Sequence, residues 1–139
     1  MNRQQIQELC ENIFLAALNG GELSGIVFRH NDTPQKAQKD MVVITAGAPQ
    51  EMLYGARPWR VEIDVEMKSN TAGRCAVIHG AALDRLKDSL ILRSAALTAG
   101  LREDDTFDIY HEEMSGDRSE TKNLRKRSIT IPIEVAIAT

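Results

Sequence analysis

Residues 59–68 read Trp-Arg-Val-Glu-Ile-Asp-Val-Glu-Met-Lys. Trp59, Val61, Ile63, Val65 and Met67 alternate with Arg60, Glu62, Asp64, Glu66 and Lys68. Successive side chains of a strand point to opposite faces, so period two puts one apolar face on a core and leaves one charged face. The stretch predicts a half-buried strand of an antiparallel sheet. A second stretch repeats the signal near the other end of the chain. In 128–138, Ile129, Ile131, Ile133, Val135 and Ile137 alternate with small or polar residues, and Pro132 falls on the opposite face. Proline cannot donate to a ladder, so this strand is expected at a sheet edge or with a bulge at Pro132.

Working outward, residues 3–19 predict a helix, because Ile6, Leu9, Cys10, Ile13, Phe14 and Ala17 recur at three- and four-residue spacing. Gly20-Gly21 ends it through the left-handed conformation that glycine adopts at helix ends. Residues 26–28 read as a short strand, and 29–39, polar with Pro34, as a loop. Residues 41–46 (MVVITA) read as a strand buried on both faces, since their apolar run does not alternate.

Residues 47–58, with Gly47, Pro49, Gly55 and Pro58, read as a long polar connection. Residues 73–91 predict a second helix whose stripe is Cys75, His79, Ala82, Leu86 and Leu90, flanked by Ile78 and Leu83. Residues 94–100 add a helical turn, and 107–114 read as a strand. Residues 115–127 (SGDRSETKNLRKR) read as a polar, mobile hairpin arm. The economical arrangement is a single α+β domain over 1–139: an antiparallel sheet of about four to five strands with two amphipathic helices packed on one face.

Composition sets the bounds. A chain of 139 residues buries roughly 70% of the surface that its unfolded form exposes, so one core suffices. Hydrophobic residues at 42% and charged residues at 27% exclude disorder over the whole length. A net charge of -3 argues against a dedicated nucleic-acid binder. Cys10 and Cys75 stand far apart, outside any CxxC pair, and read as free, buried thiols of a reducing compartment. The N-terminal stretch lacks a signal-peptide layout, and no apolar run approaches bilayer length.

Candidate chemistry is sparse. His79 falls on the apolar stripe of a helix, where a hydrogen-bonded core histidine is the ordinary reading. His30 and Asp32 share a loop without a third partner. His111 and Glu113 share one face of the expected strand, but two ligands do not make a metal site. There is no GxSxG, HExxH or P-loop pattern, so the chain is expected not to be an enzyme and to hold no cofactor or metal. Two charged sets remain as partner-binding candidates. Glu62, Asp64 and Glu66 project to one side of a strand at about 7 Å intervals. Arg125, Lys126 and Arg127 form a basic run just before the last strand.

Element order and texture over nearly the whole chain resemble the tail terminator, or tail-completion, proteins of long-tailed bacteriophages. The resemblance is carried by the helix IQELCENIFLAAL, the strand MVVIT, the alternating strand WRVEIDVEMKSNT and the helix HGAALDRLKDSL. The arm SGDRSETKNLRKR and the final strand SITIPIEVAIA complete it. That family has no catalytic signature, so no site residue is carried over.

The resemblance implies a structural virion protein, made in the host cytoplasm. It forms a ring, commonly a hexamer, that caps the completed tail tube and joins it to the neck. The implied partners are further copies of the chain, the tail-tube protein and the head–tail connector or neck proteins. DNA enters only as passing cargo, and no membrane is involved. An acidic face lining the lumen would repel DNA phosphates and let the genome slide. Three other readings remain open: a different neck or tail-tube ring subunit, a small ligand-binding or enzymatic domain using one of the histidines, and a nucleic-acid binder using Arg125–Arg127.

Overall fold

Asn2 starts the first helix, α1 (Arg3–Leu18). Its side chain accepts the Gln5 amide at 2.9 Å, and the Gln5 side chain accepts the Asn2 amide at 2.8 Å, a reciprocal cap that satisfies two otherwise free donors. The expected face is the buried one: Ile6, Cys10, Ile13, Phe14 and Ala17 are solvent-free. Asn19 closes the helix and Gly21 takes φ +57° just beyond it, a conformation that costs glycine little. This computed structural model describes residues 1–34, 40–121 and 124–138, and the side chains of 117–121 and 124 lie outside the description.

The strands are β1 (Val27–Arg29), β2 (Met41–Ala46), β3 (Gln50–Glu51), β4 (Trp59–Ser69), β5 (Thr106–Ile109), β6 (Ser115–Thr121) and β7 (Leu124–Ala136). They form one sheet in the order β1-β2-β4-β7-β5. β3 pairs with the start of β4 beyond the end of β2, and β6 pairs with the start of β7 in line with β5. Two further helices, α2 (Ala72–Lys87) and α3 (Ser89–Thr98), join α1 over one face. The class is therefore α+β, as expected.

The sheet is larger than predicted, with seven strands, and it is mixed rather than antiparallel, because β1 runs parallel to β2. A hairpin turn cannot join parallel strands, so a longer connection separates them; of the loop expected over 29–39, residues 35–39 lie outside the described residues. Residues 47–58 are not a plain loop. β3 makes them a hairpin with β4, closed by the Met52 amide on the Pro58 carbonyl at 2.8 Å. In the expected arm at 115–127, β6 is laddered on β7 from Ser115↔Thr130 to Thr121↔Leu124, and residues 122 and 123 lie outside the described residues. The expected strand over 107–114 stops at Ile109, and a 3-10 helix occupies His111–Glu113.

The second helix also differs. It breaks at Asp88, which ends α2 and caps α3, its side chain accepting the amides of Leu90 and Ile91 at 3.0 and 3.3 Å. A carboxylate so placed satisfies the first donors of a new helix, and the direction of the stripe resets there. Leu90, expected on the buried stripe, is consequently 78% exposed. The turn foreseen over 94–100 is the second half of α3.

The core lies between the helices and one face of the sheet. Val61, Ile63, Val65 and Met67 of β4 lie side by side with Ile129, Ile131, Ile133 and Val135 of β7 on that face, all nearly solvent-free. Phe14 of α1 meets Phe107 of β5 edge to face, with centroids 6.3 Å apart, which ties the first helix to the far edge of the sheet. β2 is buried along nearly its whole length, as its unbroken apolar run predicts. Both cysteines are buried, and burial, with the neighbouring Glu11 carboxylate, pushes the Cys10 thiol up to about 12.

β7 is not an edge strand. It lies between β4 and the β5/β6 column. Pro132 is tolerated because its peptide faces outward, where its carbonyl accepts the Tyr110 amide at 3.0 Å. At that level β5 has ended and β6 has not begun, so the missing N–H falls in the gap between two ladders.

Candidate partner-binding face

Among the described residues, no α-helix lies on the second face of the sheet. The alternation of β4 puts Arg60, Glu62, Asp64, Glu66 and Lys68 there, and β7 contributes Lys126, Ser128, Thr130, Pro132 and Glu134. Asp108 of β5 stands opposite Glu134. Among the described residues of β4, β5 and β7 this face therefore carries five carboxylates against three cations. It is acidic, but less uniformly so than the β4 strand taken alone.

The register decides the state of each predicted acid. Glu66 stands where the basic run arrives. Its carboxylate pairs with Lys68 at 2.9 Å and with Lys126 at 3.0 Å. Partial burial pushes this carboxyl up, but the hydrogen bonds from Lys68 and Lys126 outweigh it and hold the group below its ordinary range. Asp64 accepts the Thr130 hydroxyl at 2.7 Å and stays exposed. Glu62 faces Pro132, is exposed, and lines a small polar cleft of about 220 Å³ with Gly47, Gln50 and Arg60. Two of the three acids, Glu62 and Asp64, are thus free to face a partner, while Glu66 is already neutralised.

The basic run does not act as a patch. Alternation divides it between the two faces of the sheet. Lys126 reaches the open face and Glu66. Arg125 and Arg127 point to the helix side, where Arg127 Nη1 lies 3.4 Å from His79 Nδ1. His79 is half-buried, and burial, then the Arg127 charge, lower its pKa. A continuous cationic strip for phosphates would need all three on one side.

The other histidines are local fixtures. His111 Nε2 lies 3.0 Å from the Leu86 carbonyl at the end of α2. Glu113, expected to share a face with it, turns instead to Arg60 at 3.3 Å, because the strand has given way to a 3-10 turn. His30 opens another 3-10 turn, and Asp32 is taken by Arg29 at 2.8 Å. Among the described residues, no group of three or more His, Cys, Asp and Glu side chains is placed to hold a metal ion.

Sequence reasoning missed the best-built cluster on this face. Tyr54, on the tip of the β3–β4 hairpin, donates its hydroxyl to the Glu134 carboxylate. Tyr110 also hydrogen-bonds Glu134, and this contact, with burial and the carboxylate charge, pushes its phenol up to about 12. The Arg60 guanidinium lies 5.3 Å from the Tyr110 ring centroid, within cation–π range. Both phenols are pushed further above their ordinary value by Glu134, so the cluster is a clamp of donors on one acceptor and not a source of base. It fixes the β3–β4 tip over the open face. Only the Arg60↔Glu134 register reveals it, and that register is a long-range property of the sheet.

No helix among the described residues is long and apolar enough to cross a membrane. Compared with known proteins, the chain matches no family model and no curated protein.

Proposed function

We propose that the chain is a ring-forming structural subunit of a long-tailed phage virion, a tail terminator that caps the tail tube and joins it to the neck. The observation that carries this reading is the two-sided sheet. One face is clad by α1, α2 and α3, and the other, which carries no helix among the described residues, is acidic over β4, β7 and β5 and braced by a tyrosine clamp. At its ends, β1 on one side and β5 with β6 on the other have no further strand beside them among the described residues. A subunit with two different edges suits a head-to-tail ring, in which each copy meets the next through unlike surfaces. Its partners are further copies of itself, the tail-tube protein and the neck. DNA passes the acidic face as cargo, held off by Glu62 and Asp64.

The test is the mass in solution by light scattering over a range of concentrations, followed by electron microscopy with isolated tail tubes. Discrete rings near six times the 15.4 kDa chain, seated on tube ends, are expected. Unlimited tubes would favour a tube subunit instead. Monomers that never dock on tubes would sink the ring reading altogether.

A further inference from the structure

α3 is the apolar element least covered by the fold. Only Ala95 and Ala96 are buried, while Leu90 is 78% and Leu97 48% exposed. Between α3 and the edge strand β5 runs a groove of about 430 Å³, lined by Leu92, Leu97, Leu101, Phe107 and Ile109. That is within the range of about 300–1,000 Å³ typical of sites that enclose a bound group. Glu103 and Asp108 stand on its rim with Arg93 and Arg102.

Among the described residues, one other strongly exposed apolar feature lies outside the first residue and the helices. Leu53, on the β3–β4 tip, is 82% exposed, and Tyr54 beside it is 52% exposed. This tip is held in place. The Met52 amide bonds the Pro58 carbonyl at 2.8 Å, the Arg57 amide bonds the Tyr54 carbonyl at 2.9 Å, and the Tyr54 hydroxyl is anchored on Glu134. A projecting leucine on a braced hairpin contributes nothing to its own core. It is pre-organised for insertion elsewhere, since little entropy remains to be lost on docking.

We propose that Leu53 of one copy seats in the α3–β5 groove of the next copy, as the repeating contact between subunits. Three observations select a second copy as the occupant. The knob and the groove lie on opposite faces of the sheet: Glu134, which holds the tip, is on the open face, whereas Phe107 and Ile109 belong to the helix-clad face. Knob and groove are therefore two unlike surfaces of the same chain, which is what a head-to-tail contact requires. Charges of both signs are available on each side: Glu51 and Arg57 belong to the hairpin, and Arg93, Arg102, Glu103 and Asp108 line the groove, so opposite charges can pair on docking. Finally, β5 has no strand beyond it among the described residues, so a hairpin can approach the groove from outside. The contact deepens the ring reading and rests on it for closure alone.

The experiment uses the full chain with Leu53→Asp, Leu97→Asp and the variants Leu53→Cys and Leu97→Cys, each with one added, exposed cysteine. Cys10 and Cys75 are buried and leave a low background. Each aspartate variant should raise the concentration for half-assembly about 30-fold or more, the effect of losing a central anchor. Its far-ultraviolet dichroism and melting should match the parent, because both leucines are exposed. Mixed Leu53→Cys and Leu97→Cys proteins should form a disulfide-linked pair under mild oxidation, while neither does so alone. Rings that survive both aspartate substitutions without cross-linking would overturn this contact and leave the ring reading standing. Cross-linked open chains that never close would keep the contact and sink the ring. Linkage of Leu53→Cys to itself, or strict monomers without cross-linking, would overturn the contact outright.

Discussion

The Pro132 carbonyl accepts the Tyr110 amide at 3.0 Å at the level where the outer column of the sheet passes from β5 to a 3-10 turn. The Tyr110 carbonyl is already taken by the Glu113 amide at 3.1 Å. A proline is thus placed where a donor would find its natural acceptor occupied. Pro132→Ala should destabilise the fold by about 1 kcal/mol or more, by freeing the unfolded chain and adding a donor without a partner. Urea unfolding measures it, with the slope unchanged. A variant more stable than the parent would show that the gap accepts a donor after all.

Glu66 sits between Lys68 and Lys126, and its carboxyl is held below the ordinary range. A depressed carboxyl contributes stability that is complete above the unfolded-state value and is lost as pH falls through the folded one. The stability gap between the parent and Glu66→Gln should therefore be constant at neutral pH and close in acid, below the ordinary carboxyl value of 4.5. Because these side chains are partly solvated, a Glu66–Lys126 double-mutant cycle should return about 0.5 kcal/mol, shrinking in 1 M salt. A coupling indifferent to salt would mean that packing, and not charge, joins the pair.

His79 titrates low because it is half-buried and then because Arg127 lies beside it. For a base whose folded pKa is depressed, the unfolded chain binds the proton first. Stability is then complete above the ordinary value of 6.5 and declines as pH falls below it, toward the folded pKa. His79→Gln should flatten that slope, and Arg127→Ala should move the His79 resonance in a proton titration upward, toward the ordinary value. An unmoved resonance would leave burial as the sole cause.

Asp88 serves two helices at once, ending α2 and capping α3 through the amides of Leu90 and Ile91. Asp88→Ala should cost about 1 kcal/mol, and Asp88→Asn should recover most of it, since the asparagine oxygen accepts the same bonds. Thermal unfolding of the two variants decides it. Equal losses would place the effect in the charge and not in the cap.

The strands that alternate strictly were the most legible part of this chain. β4 and β7 announce both their existence and their buried faces in local order, and so do α1 and the doubly buried β2. What stayed hidden depends on register. Whether Glu66 is a free acid or a neutralised one turns on Lys126 arriving opposite Lys68. The clamp of Tyr54 and Tyr110 on Glu134 likewise joins segments that share no local pattern. The break at Asp88 was missed because Leu86 and Leu90 keep helical spacing across it. The spacing of apolar residues does not register a capping carboxylate that interrupts the backbone bonds between them. The arm at 115–127 was legible as a hairpin arm but not as sheet: it is a polar segment with no apolar alternation, so nothing local announced the ladder of β6 on β7.

β7 pairs with β4 along its length and carries β5 and β6 on its other side, yet it follows all of them in the chain. During synthesis the ribosome releases every other strand first. Until residues 124–136 emerge, β4 presents a long bare edge, half apolar, with nothing to cover it. Such an edge is a template for misassembly with a neighbouring nascent chain. Closure of the core is therefore a late event that waits on long-range pairing, which sets a slow step in maturation. Any shortening of the chain that removes this strand would release an aggregating product rather than a smaller domain.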